Sequence, residues 1–224
     1  MSVSDNIKYF LTNEIPSNVK LIAVSKTKSV ETILEAYQSG HRIFGENKVQ
    51  ELVDKYHALP KDIEWHMIGH VQSNKVKYIA PFVSLIHGVD SFKLLQVINK
   101  EGEKKKRKIN CLLQFHIAKE ETKFGLDLVE ANEFLSSEEF ENLKNVCICG
   151  VMGMATYTED LDLIRSEFKE LVYIFNQLKN TYLPNSDFTE ISMGMSGDYK
   201  IAIEEGATMV RIGSLLFGAR NYIQ

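Results

Sequence analysis

At 224 residues, with 44% apolar and 25% charged side chains, the chain has the composition of an ordinary globular protein, long enough for one large domain or two small ones. Its 26 basic and 30 acidic residues leave a net charge of −4, which argues against a dedicated nucleic-acid or anionic-membrane binder. No apolar window reaches the length of a membrane span, and Met1–Glu14, broken by Asp5, Lys8 and Glu14, does not read as a signal peptide.

In chain order, an N-terminal helix over about residues 4–12 precedes a first strand, Leu21-Ile-Ala-Val-Ser-Lys26, whose alternate residues Ile22, Val24 and Lys26 share a face. Ser29 caps a helix with Val30, Ile33, Leu34 and Tyr37 at helical spacing, closed by Gly40. Arg42–Gly45 reads as strand two, and Val49, Leu52, Val53 and Tyr56 mark the next helix, with Pro60 beyond its end. Trp65–Ile68 is strand three, followed by a short helix from Ser73. Val83–His87 is strand four, and Ser91 opens a helix with Leu94, Leu95 and Ile98.

The basic run Lys104–Lys108 reads as a solvated loop before strand five, Ile109–Ile117. A Gly125 turn leads to a helix over 128–135, then to strand six, Val146–Met152. A long helix carries the stripe Leu161, Ile164, Phe168, Leu171, Val172 and Phe175. Phe188–Ser192 is strand seven, Asp198 caps a short helix ended by Gly206, Met209–Ile212 is strand eight, and Ser214–Arg220 is a final turn or helix. Cys111, Cys147 and Cys149 fall in strand-like apolar runs and lack zinc or redox spacing, so buried, reduced thiols of a cytoplasmic protein are expected.

Eight strands alternating with eight helices imply parallel strands joined by helical crossovers, and the length suits one closed (β/α)8 TIM barrel with an extra N-terminal helix, a single domain over 1–224. An open doubly wound sheet is the alternative. In such barrels the chemistry sits where strands end.

Lys26 stands at the end of an apolar strand face. Desolvation there favours a neutral amine able to attack a carbonyl, although a strand-end lysine can also simply reach solvent. Asn47 follows strand two with a donor and an acceptor. Met193-Gly-Met-Ser-Gly-Asp198 and Arg211-Ile-Gly-Ser214 follow the last two strands and each opens a helix. Singly they read as tight turns; together, with the hydroxyls of Ser196 and Ser214, they suggest a phosphate site. Arg211 can only donate hydrogen bonds, either to a rim carboxylate or to a ring nitrogen kept unprotonated. His66 and His70, four apart in a strand-and-turn context with no third ligand, do not suggest a metal. An aldehyde-binding lysine, a phosphate cradle and an arginine for a pyridine nitrogen together describe a site for pyridoxal 5′-phosphate (PLP).

The segments Ala23–Lys28, Phe44–Glu51, Trp65–Lys75, Ser192–Asp198 and Val210–Arg220 resemble the PLP homeostasis protein family, whose fold is similar to the N-terminal barrel of alanine racemase. The resemblance implies Lys26 as the Schiff-base lysine, Arg211 facing the pyridine nitrogen, phosphate ligands at Ser196, Gly213 and Ser214 with Met195 close by, and Asn47 near the cofactor. Lys48 stands where the family often has an aromatic residue, and Ser214 where threonine is frequent; Gly150–Thr156 carries no assigned role.

The resemblance further implies an intracellular PLP store or carrier without dedicated catalytic activity, with PLP-dependent apo-enzymes as recipients; an open barrel mouth needs no partner, so a monomer is expected. Lys28 would be a second anchoring or transfer cation. Weak amino-acid racemisation is the alternative, limited by the need for a second acid/base opposite Lys26. A cofactor-free Schiff-base aldolase is a third reading.

Overall fold

The computed structural model describes residues 2–119, 124–184 and 187–218. Eight parallel strands close into a barrel in chain order, β1 (Lys20–Val24), β2 (Ile43–Glu46), β3 (Glu64–Met67), β4 (Leu85–Val89), β5 (Ile109–Gln114), β6 (Val146–Met152), β7 (Glu190–Met195) and β8 (Met209–Ile212). The last strand returns to the first with Ile22 opposite Arg211.

Between strands run α2 (Val30–Gln38), α3 (Val49–Ala58), α4 (Val76–Ile79), α5 (Phe92–Lys104), α6 (Leu128–Leu135), α7 (Glu138–Glu141), α8 (Leu161–Thr181) and α9 (Tyr199–Glu204), while α1 (Val3–Tyr9) precedes the barrel and α10 (Ser214–Phe217) follows it. The N-terminal helix continues through a wider π-type turn over Phe10–Glu14.

Strand alternation sorts the apolar residues into two cores. One strand face (Leu21, Ala23, Phe44, Trp65, Met67, Ile86, Leu113) packs against the helices. The other fills the barrel with Ile22, Val24, Ile68, Leu85, Leu112, Met152 and Met209. Serine caps set the helix starts: Ser29 and Ser91 accept the N–H groups of Thr32 and Leu94. Ser91→Ala should cost about 1 kcal/mol, read as a lower urea midpoint at unchanged slope.

The hydrogen bonding moves several sequence-derived boundaries. Strand one stops at Val24 rather than Lys26, strand four runs Leu85–Val89 rather than Val83–His87, and strand seven extends to Met195. Val83 is buried because it packs behind α4, so its burial imitated a strand position. Leu161 is 60% exposed and leaves the buried stripe of α8, because the helix begins at that residue on the solvent side. The short α7 was not foreseen.

Cys111 is buried, whereas Cys147 and Cys149 are only half-buried on the barrel-facing side of β6. Arg220, the expected end of the last element, lies outside the described residues. Among the described residues no helix is long and apolar enough to cross a membrane.

Candidate functional site

At the mouth where the strands end, a cavity of ≈ 650 Å³ opens. Lys26, Asn47, Met195, Ser196, Arg211, Gly213 and Ser214 all line it, joined by Lys28, Met154 and Tyr157.

Lys26 occupies a turn two residues past the end of β1. The Ser25 N–H still donates to the Gly45 carbonyl at 3.0 Å, and the Lys28 N–H turns back onto the Ser25 carbonyl at 3.0 Å. Thr27, between them, has φ +65°. A β-branched residue there is a genuine outlier, costing of order 1–3 kcal/mol, so its surroundings must hold it. Lys28 donates to the carbonyls of Phe217 and Gly218 at 3.0 and 3.3 Å, which satisfies the C-terminus of α10.

The loop after β7 turns at Gly194, where φ is +87° and an added Cβ would stand 2.5 Å from the Ala202 methyl. Asp198 precedes α9 but makes no side-chain cap; its carboxylate accepts the Met195 N–H at 2.5 Å and fixes the loop instead. Ser196 Oγ accepts the Gly213 N–H at 3.4 Å, tying this loop to the one after β8. A Cβ at Gly213 would lie 3.2 Å from the Val24 carbonyl, so glycine lets this loop seat closely on β1. Both following helices are short, 6 and 4 residues. An anion here would meet first-turn N–H groups and hydroxyls rather than a strong macrodipole.

Arg211 stands near the C-terminal end of β8, 4% exposed. Its Nη1 donates to Ser192 Oγ at 2.6 Å and its Nη2 to the Gly153 carbonyl at 3.0 Å. Both acceptors are neutral, and among the described residues no carboxylate pairs with the guanidinium. Burial pulls its pKa to about 10, with Asp198 acting in the opposite sense, so it remains charged at neutral pH. Behind it, Ser192 Oγ lies 2.9 Å from His87 Nδ1, and His87 Nε2 lies 3.0 Å from His66 Nδ1.

One proton arrangement fills every acceptor in this chain: Arg211 donates to Ser192, Ser192 to His87, and His87 to His66. Both imidazoles are neutral. Burial drives His66 to about 3, helped by Lys20, and holds His87 well below its ordinary value, helped by His66 and Arg211.

Asn47 lines the cavity, while its Oδ1 is buried with no hydrogen-bond partner among the described residues. His66 and His70 do not meet in one site: His66 bonds His87 inside the barrel, while His70 pairs with Asp90 at 2.9 Å at the surface. Among the described residues no group of three or more His, Cys, Asp or Glu could hold a metal.

Sequence reasoning gave no role to His87, Ser192 or the Gly150–Thr156 segment, which supplies the Gly153 carbonyl and Met154. It also gave none to the buried cluster Glu46–Lys55–Glu51 beside Ser25. Glu51 and Lys55 at i, i+4 on α3 were the available signal, but surface pairs have the same spacing.

The sequence profile of the alanine racemase N-terminal domain family matches residues 2–221. A pyridoxal phosphate homeostasis protein of Haemophilus influenzae is 39% identical over 214 residues, 94% of this chain and 89% of that protein. One from Aquifex aeolicus is 42% identical over 204 residues, 91% and 88% of the two chains. The structure of PipY from Synechococcus elongatus with PLP bound superposes with TM-score 0.87 at 33% identity, covering 97% of this chain and all of that one (100%). Alanine racemase from Bartonella henselae, with a TM-score of 0.74 at 16% identity over 98% of this chain and 63% of its own, shares the fold.

Proposed function

The chain belongs to the pyridoxal phosphate homeostasis proteins, built on the alanine racemase N-terminal domain, and on that premise we propose that it holds PLP at the barrel mouth as a carrier rather than a dedicated enzyme. The observation that carries this reading is Arg211: a buried charged guanidinium that, among the described residues, bonds only neutral acceptors, in the cavity that Lys26 also lines. PLP supplies an aldehyde that condenses with a lysine amine with loss of one water, together with a pyridine nitrogen and a phosphate.

The residues present fit that group. Lys26 provides the amine. Ser196, Gly213 and Ser214, beside Met195, provide hydroxyls and N–H groups for the phosphate. Arg211, unable to give up its proton at neutral pH, would keep a facing pyridine nitrogen unprotonated, and Asn47 lines the cavity beside these groups. The barrel is one PLP-binding domain over residues 1–224. It acts in the cytoplasm as a monomer and passes PLP to apo-enzymes through its open mouth.

A racemase needs an acid/base opposite Lys26. Tyr157 is the tyrosine lining the cavity, and at 97% exposure it lacks the enclosure that tunes a proton-transfer group. The likeness to racemases below 20% identity extends to the fold alone.

The test is the visible spectrum of the protein with added PLP, before and after borohydride, with the labelled peptide identified. A reducible band with the label on Lys26 is expected. The absence of any band would overturn the reading and leave a cofactor-free Schiff-base aldolase in its place.

A further inference from the structure

Lys26 has a fixed residue on each side, and one cluster of charges does the fixing. Ser25 is held twice: its hydroxyl donates to Glu46 Oε1 at 2.5 Å, and its carbonyl accepts from Lys55 Nζ at 2.8 Å. Thr27 is held by Glu51, whose Oε1 accepts the Thr27 N–H at 2.6 Å. Lys55 Nζ joins the two carboxylates, 2.8 Å from Glu46 Oε1 and 2.6 Å from Glu51 Oε1. The cluster spans the end of β2 and α3 from Glu51 to Lys55, so it ties the turn after β1 to the neighbouring unit of the barrel.

Two features mark this cluster as more than a surface pair. Glu46 is fully buried and Lys55 is 6% exposed, and burying such a pair is a poor way to gain stability, since desolvation offsets most of the attraction. What a buried, multiply bonded pair gives is a fixed position. The position fixed here is the left-handed Thr27, which a β-branched residue does not adopt unaided. Released from Glu51, Thr27 would relax to negative φ and swing the preceding lysine off the line set by Val24, away from the cavity.

We propose that Glu51, braced by Lys55 and Glu46, is a positioning residue that holds the Ser25–Thr27 turn in its left-handed form and so aims the Lys26 amine into the cavity. The inference rests on the reading of Lys26 as the PLP-bearing lysine and extends it to residues outside the cavity wall.

The test compares two quantities in wild-type, Glu51→Ala, Glu51→Gln and the double variant Glu51→Ala/Thr27→Gly. One is the rate at which a borohydride-reducible band grows after PLP is added. The other is the equilibrium affinity for pyridoxine 5′-phosphate, which keeps ring and phosphate but has no aldehyde to condense. Glu51→Ala should slow the band about tenfold or more while changing analogue affinity less than about twofold, because alignment of the amine and not the cradle is lost. Glu51→Gln should recover part of the rate, since its amide oxygen can still accept the Thr27 N–H. Adding Thr27→Gly to Glu51→Ala should also restore rate, because glycine adopts positive φ without strain.

An unchanged rate in Glu51→Ala overturns the proposal. So does a parallel loss of analogue affinity, which would mark a general structural defect, or a failure of glycine to rescue. Should Glu51→Ala not fold, Lys55→Met is read by the same three outcomes. If the wild-type protein itself gives no reducible band, the functional reading fails, and that result is distinct from a wild-type band that Glu51→Ala leaves unaltered.

Discussion

Lys26→Ala should lose the borohydride-stable attachment of PLP by at least about a hundredfold, because no other amine is held at the effective concentration of a positioned side chain. The rival is Lys28, which lines the same cavity. Its ammonium, however, donates to the Phe217 and Gly218 carbonyls at the end of α10, and those bonds hold it against that helix end. Lys28→Ala should therefore keep the band, with the label still on Lys26. Mass spectrometry of the reduced, digested protein separates the cases. Undiminished trapping in Lys26→Ala, with the label moved to Lys28, would reverse the assignment. Pyridoxine 5′-phosphate should still bind Lys26→Ala, since the phosphate loops and Arg211 remain.

Acid should destabilise the fold well above the range where carboxylates titrate. His66, at about 3, and His87, well below its ordinary value, are neutral in the folded barrel because burial penalises their charged forms. In the unfolded chain each takes a proton near pH 6.5. The unfolded state therefore binds more protons than the folded one below that pH, and stability falls as pH falls. The contribution is fully present above about 6.5 and is lost progressively on the way down to the folded values. At pH 5 a histidine held at about 3 accounts for about 2 kcal/mol, so His66 alone removes about 2 kcal/mol, or about 5 °C in Tm for a domain of this size, and His87 adds in the same direction. His41, buried against the Ile43 carbonyl with its pKa lowered by burial, acts in the same direction. Calorimetry at pH 7.5 and pH 5 checks this; a Tm that stays level between them would mean the imidazoles are not held neutral.

The histidine pair also shows why some of the site was hidden in the sequence. His66 was visible as a residue two places before Ile68 on a strand face, and a metal was the chemistry weighed for it. Its actual partner, His87, lies 21 residues away on the next strand, and Ser192 a further 105 residues on. Three polar residues from β3, β4 and β7 meet because the barrel brings their inward faces to one level. No local pattern encodes that meeting. The same holds for Arg211, whose acceptors sit 19 and 58 residues away.

By itself, the sequence determined what depends on neighbours along the chain. Period-2 and period-3.6 patterns placed strands and helices in alternation, and β6 and β8 with their bounds, because side-chain direction follows backbone geometry residue by residue. Glycines and hydroxyls after the last two strands, and an apolar strand running into Lys26, marked residues that line the cavity. The tertiary structure alone decided where each strand stops, since a strand ends where its neighbour's hydrogen bonds end. It also decided which buried polar groups pair. Among the described residues it left Arg211 bonded to neutral acceptors and Asn47 Oδ1 without a donor, and it drew Glu46, Glu51 and Lys55 around the Lys26 turn. Burial and pairing are properties of the closed barrel, because desolvation acts on a side chain only once distant strands have covered it.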